Sequence, residues 1–338
     1  MSIGKFDSLL LLSFGGPEGP DDVMPFLRNV TKGRGVPDER LAVVAEQYAL
    51  FGGKSPINDL NRDLLESINE ELAARGYDIP TFLGNRNWHP FLSDAVERLQ
   101  SEGYKSTVCL VTSAFSSYSG CRQYHEDLQV ACSGVSKPPE IQRVRVFWNH
   151  PDFLGAAAEL LSESRVKANL SEHTPVLHTA HSLPISMAAN SDYEAQLNEA
   201  ARIVNDLAGM KGPCEVVFQS RSGPPSVPWL EPSIDTRLQE LAADDISQVL
   251  VHPLGFIADH MEVLFDLDTQ ASGIAVEYGI KMVRTPTVGT HPRFVAMMID
   301  LIEEAAGLRE DRPSLGSMGP RPDTCFSDCC PAPSRPGR

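Results

Sequence analysis

Two short stretches carry side chains suited to moving protons or holding a divalent cation. In "VLHTAHSLP", His181 closes an apolar run directly before a turn containing Pro184. An imidazole with its ordinary pKa near ~6.5 can accept a proton or bind a transition metal at neutral pH. A hydrogen-bonded turn histidine is the plainer competing reading. The second stretch, "IADHMEVLFDLD", carries Asp259, His260, Glu262, Asp266 and Asp268. Offsets of three and four residues from Glu262 predict that Asp259, Glu262 and Asp266 share one face of a helix. Carboxylates stacked in this way repel, so the stripe is either a solvated acidic face or a path for cations and protons. Two further segments, "SAFSSYSGCRQYHEDL" and "QSRSGPPSVPWLEP", bring Ser, Tyr and Arg donors suited to carboxylates.

The thiols form a separate pattern. The C-terminal stretch "DTCFSDCCPAPSRPGR" holds Cys325, Cys329 and Cys330, three of the chain's seven cysteines, in a Pro- and Ser-rich context that offers no core. Cys109 in "TVCLV" and Cys214 in "CEVVF" read as small buried apolar residues, and Cys132 closes a helical pattern. Cys121 falls on the turn "SSYSGCRQY", which is expected to be exposed after a strand end. In a reducing compartment, clustered thiols bind metal or react more often than they form structural disulfides.

The elements that must position these groups are legible as short apolar runs alternating with helical patterns. "SLLLLSFGGP", "IPTFLGNRNW" and "STVCLVTSAF" read as buried strands, separated by helices such as "SPINDLNRDLLESINEELAARGY" and "PFLSDAVERLQSEGY". The same grammar restarts with "PVLHTAHSLP", "CEVVFQ", "SQVLVHPLGFI" and "IKMVRTPT". Strands separated by helices predict an α/β fold of two doubly wound, Rossmann-like domains with parallel sheets and a cleft between them. The expected division is residues 1–150, residues 151–308 and a tail at 309–338. With 338 residues and a net charge of −16, the chain is long enough for two cores and a poor general partner for nucleic acid or anionic membranes. The run Leu9–Leu12 is too short for a signal peptide, and no run approaches the ~20 apolar residues of a membrane span. A cytoplasmic protein without stable membrane insertion is expected. Neither a P-loop, a Gly-rich dinucleotide fingerprint nor a G-x-S-x-G elbow is present.

Five stretches, "LLSFGGPEGPDDV", "FGGKSPIN", "TAHSLP", "FQSRSGPPSVPWLEP" and "HPLGFIADHMEVLFDLD", together resemble the ferrochelatases over roughly residues 7–308. Within that family the chain looks most like the actinobacterial, coproporphyrin-using type. The resemblance implies two Rossmann-like domains and insertion of Fe2+ into coproporphyrin III, with protoporphyrin IX as the alternative substrate and a non-catalytic haem or iron sensor as the rival class. It implies that His181 and Glu262 are the facing pair that binds ferrous iron. It also implies that Ser55 and Tyr124 contact the porphyrin, and that Asp259, His260 and Asp266 support the acidic path. Phe14 and Asn87 depart from relatives that carry tyrosine and histidine there, which argues against an accessory metal site at either position.

The resemblance also gives the tail a role. Some ferrochelatases hold a [2Fe–2S] cluster with one internal cysteine and three near the C-terminus, and Cys121, Cys325, Cys329 and Cys330 match that set. Four thiolates are the number such a cluster takes; a zinc site and unligated thiols are the competitors. Coproporphyrin III and Fe2+ are the expected partners, together with other haem-pathway enzymes, and the chain is expected to be a monomer.

Overall fold

The computed structural model describes residues 2–223 and 226–333. Its first strand, β1 (Ser8–Ser13), is buried along its whole length, which accounts for the unbroken apolar run rather than an alternating one. β1 lies inside a parallel sheet with β2 (Thr81–Asn85), β3 (Ser106–Val111) and β4 (Glu140–Arg143), in the order β2-β1-β3-β4. A second parallel sheet repeats that order as β6-β5-β7-β8, from β5 (Val176–His181), β6 (Cys214–Gln219), β7 (Gln248–His252) and β8 (Lys281–Arg284). The chain is thus α/β with two doubly wound sheets. Strand order reverses between β1 and β3 and again between β5 and β7, the places where such sheets open a crevice at their carboxyl ends.

One buried cluster joins the helical layers of both sheets and includes Leu9, Phe115, Trp148, Phe153, Val176 and Phe294. The last helix, Pro292–Ala305, crosses the expected division of the chain. It packs on the helices Ile57–Ala74 and Pro151–Lys167. Arg75, at the end of the former, donates to Asp300 at 2.6 Å and to the Ala296 carbonyl at 3.0 Å. Near the end of the last helix, the buried Glu304 carboxylate receives a bidentate guanidinium from buried Arg145, at 2.7 and 3.0 Å.

The tail is tied down by polar contacts rather than by a core of its own. Pro313 O accepts from Arg145 at 3.0 Å, and Asn149 Nδ2 donates to Gly319 O at 2.8 Å. Ser317 donates through its N–H and its hydroxyl to Glu199, at 2.7 and 2.8 Å, and Arg321 pairs with Asp192. Composition conceals such docking because the partners are backbone carbonyls and surface acids. Cys121 also differs from its expected exposure. It is 8% exposed, in a π-helical turn over Tyr118–Arg122.

Candidate active site

β7 pairs with β5 only as far as His178 opposite His252, whereas β5 runs on to His181. The chain after β7 fills the space this leaves. Gly255 N donates to Thr179 O at 2.9 Å, and a Cβ on Gly255 would sit 2.6 Å from Ala180 Cβ. Only glycine permits this approach. It carries the segment that follows across the end of β5 and sets Glu262 beside His181. The His181 Nδ1–H donates to Ser182 O at 2.5 Å, which leaves Nε2 facing Glu262 Oε1 at 3.5 Å. Tyr193 steadies the strand end by donating its hydroxyl to His181 O at 3.0 Å.

The pair is electrostatically coupled. Burial alone would lower the His181 pKa, but the Glu262 carboxylate, the Ser182 carbonyl and Asp266 outweigh it and hold the imidazole up at about 9. Burial pushes Glu262 the other way, and the facing imidazole brings it down to about 2. The side chains remain 35% and 40% exposed, so solvent and ligands can reach them. Burial, then the charge of Glu262, raise the Asp266 carboxyl to about 7. Asp266 accepts from Gln219 Nε2 at 3.2 Å and from the Ser220 hydroxyl.

The acidic stripe is shorter than its spacing implied. The helix starts at Met261, and Leu264–Ala271 is a π-helix, a form often found at functional sites. Asp259 precedes the helix and is neutralised by Arg284 at 3.0 Å, and Arg284 also forks onto Asp268 at 2.6 and 2.9 Å. Glu262 and Asp266 therefore stand together, whereas Asp259 and Asp268 belong to an arginine-centred cluster. His260 rests edge-on against Phe256, ring centroids 5.3 Å apart, and burial lowers its pKa.

The first domain faces this pair with aromatic side chains. Phe26 meets Phe14, Tyr48 and Trp88 edge-on, at 6.3, 6.1 and 6.2 Å between centroids. Met261 and Phe265 pack into the same cluster from the second domain. Burial, with the charge of Glu262 adding to it, raises the pKa of the Tyr48 hydroxyl. Ser55 is buried at 4% exposure, beneath Gly16. Tyr124 is 5% exposed and lies under the Arg86 guanidinium, 4.5 Å from its ring, while Arg86 pairs with Asp127. These two residues are thus in the first domain's interior. Asn87 directs its amide to Phe14 O at 3.2 Å.

The family model described as ferrochelatase matches residues 7–306. The chain belongs to the ferrochelatase family. It is 47% identical to a protein of Rhodopirellula baltica named "Ferrochelatase", over 96% of this chain and 93% of the relative. It is also 47% identical to a "Coproporphyrin III ferrochelatase" of Frankia alni, over 98% of this chain and 88% of that one. Among solved structures, SirB from Bacillus subtilis with Fe3+ aligns at a TM-score of 0.55 with 10% identity, over 88% of this chain and 95% of that one. That likeness concerns the fold.

A second cluster of reactive groups in this ferrochelatase-family chain lies where the tail meets the π-turn. Cys121 and Cys325 line one small crevice, and Cys325 together with Arg143 lowers the Cys121 pKa to about 6. Arg143 Nη1 is 3.6 Å from Cys121 Sγ and donates to the Cys121 carbonyl at 3.0 Å. Cys329 and Cys330 hold their sulfurs 3.6 Å apart. Among the described residues, the group of three ligand-type side chains with atoms within 4.8 Å of one another is His150, Asp152 and Asp300. Its carboxylates are already paired with Arg293, Arg75 and Arg309, which makes it a salt-bridge network.

Spacing did not single out Ser220, Gln219 or Tyr193. Ser220 shows why, because its φ of 64° is invisible in a run of Ser, Arg and Gly.

Proposed function

We propose that this protein is a lyase that inserts Fe2+ into coproporphyrin III to form iron coproporphyrin III, in haem b biosynthesis. The observation that carries the reading is the facing pair, His181 Nε2 and Glu262 Oε1 at 3.5 Å, partly open to solvent at a sheet's carboxyl end and opposite an aromatic wall. Insertion exchanges two pyrrole protons for one Fe2+, so the site must take up protons and release a cation. The aromatic side chains around Phe26 suit the apolar faces of a flat macrocycle. Imidazole and carboxylate bind Fe2+ without the grip of thiolates. His181 and Glu262 are the ligand and proton-handling pair, and Asp266 continues the acidic path behind Glu262. Asp259 and His260 support that segment from the Arg284 and Phe256 side. Ser55 and Tyr124 are assigned to tetrapyrrole contact on the family resemblance, with both side chains nearly buried.

The relatives named for coproporphyrin III favour that substrate over protoporphyrin IX. Among the described residues, no helix is long and apolar enough to cross a membrane. Initial rates of anaerobic Fe2+ insertion decide the matter. Coproporphyrin III is expected to be metallated faster; equal or faster metallation of protoporphyrin IX overturns the substrate assignment. His181→Ala should lose metallation and keep porphyrin binding, and an unchanged rate would remove His181 from the chemistry.

The reading includes a [2Fe–2S] group held by Cys121, Cys325, Cys329 and Cys330. What supports it is donor chemistry: four thiols, two of them 3.6 Å apart at Cys329 and Cys330, and a lowered Cys121 pKa with the cationic Arg143 beside it. Bound there, the group supplies a one-electron couple and a covalent tie between tail and first domain. Anaerobically purified protein should show visible charge-transfer absorbance with two irons per chain, both lost in Cys121→Ser. Colourless protein with stoichiometric zinc refutes the assignment.

A further inference from the structure

Two locally unfavourable features meet at the end of β6. Ser220 has a φ of 64°, in the left-handed region that strains a residue with a Cβ. Gln219, 4% exposed, leaves its Oε1 buried without a hydrogen-bond partner. Both residues direct their donors at one oxygen, Asp266 Oδ2. Glu262 lies four residues before Asp266 on the same helical segment. A hydroxyl has one proton, so it serves one carboxylate at a time. Donated to Asp266, it fixes that side chain through a single oxygen and leaves Glu262 free to turn towards a cation. Strain and an orphaned acceptor retained beside a reacting pair point to a function for the geometry that imposes them.

We infer that Ser220 is a positioning residue for iron transfer. Its hydroxyl, aimed by the left-handed backbone, holds Asp266 behind Glu262 so that the two carboxylates receive Fe2+ in succession. The inference rests on the ferrochelatase reading and extends it to a residue outside the His181–Glu262 pair. Gln219 contributes the second donor, and its buried amide is oriented by the same carboxylate.

Two substitutions separate positioning from a structural turn. Ser220→Gly removes the hydroxyl and relieves the backbone, so a residue needed only for the turn would be replaced without loss. Ser220→Asn retains a donor and tolerates the left-handed conformation. Steady-state rates are measured with Fe2+ varied at saturating coproporphyrin III, and then the reverse, alongside thermal unfolding. For Ser220→Gly, the expected result is an unchanged or higher Tm and a KM for coproporphyrin III within about twofold of wild type. Its kcat/KM for Fe2+ should fall by about tenfold or more, as for loss of a hydrogen bond to a charged group. Ser220→Asn should recover most of that loss. Wild-type kcat/KM for Fe2+ in Ser220→Gly overturns the inference, as does equal impairment of both variants. A wild-type protein that metallates neither porphyrin removes the functional reading and this inference together, whereas an active wild type with an unaffected glycine variant removes this inference alone.

Discussion

Replacing Glu262 by glutamine keeps the shape of the side chain facing His181 and removes its charge. Two unit charges at the observed 3.5 Å attract by about 1 kcal/mol at the dielectric of water and by about 5 kcal/mol at an effective dielectric of ~20. With the side chains 35% and 40% exposed, screening places the pair in the lower part of that range, about 1–3 kcal/mol. At about 1.4 kcal/mol per unit, this equals about one to two units of imidazole pKa. Burial stays in place in the variant, opposed now only by the Ser182 carbonyl and Asp266, so His181 should titrate at least about one unit lower in metal-free Glu262→Gln than in metal-free wild type. NMR titration of the His181 ring, with His181→Gln to assign the signal, measures this directly. A midpoint that stays put or rises would refute the account of the pair. The stability consequence has a defined window. The His181 contribution is complete below its unfolded value near 6.5 and is lost as pH rises through about 9. The Glu262 contribution is present above 4.5 and is lost as pH falls through about 2. The shared interaction is therefore greatest between these limits, and the stability difference between wild type and Glu262→Gln should shrink on either side of them.

Two further outcomes test the scaffold. Glu304→Ala strands the Arg145 guanidinium, whose side chain is 0% exposed, and should cost about 3–5 kcal/mol in denaturant unfolding; a loss below about 1 kcal/mol would show that the tail and last helix do not depend on this pair. Gly16→Ala places a Cβ 2.7 Å from Ser55 Cβ and 2.8 Å from Ile57 Cγ2. It should raise the KM for coproporphyrin III severalfold with little change in kcat, and an unchanged KM would exclude Ser55 as a substrate contact.

Periodicity and strand ends carried much of this architecture. The uninterrupted apolar runs of β1 and β7 announced strands buried on both faces, and the position of His181 at the end of β5 already marked it as reachable. The helical-face argument failed for Asp259 because offsets presuppose that the helix has begun, and here it begins at Met261. Arg284, distant in sequence, then claimed both Asp259 and Asp268. The exposed reading of Cys121 failed for a related reason. A Ser-rich turn looks solvated until a distant segment covers it, and that cover comes from the tail. Backbone strain at Ser220 and the close approach at Gly255 are tertiary facts, set by what lies opposite, so residue type alone does not disclose them.

The contact between Cys121 and Cys325 has a consequence in time. A ribosome exposes the first thiol about 200 residues before the second, a delay of about 10–40 s at usual elongation rates. Throughout that interval the first sheet can fold while its π-turn waits, with its thiol uncovered. Closure of the contact therefore reports that synthesis has passed both sheets, and a truncated chain would leave Cys121 open to oxidants and stray metal.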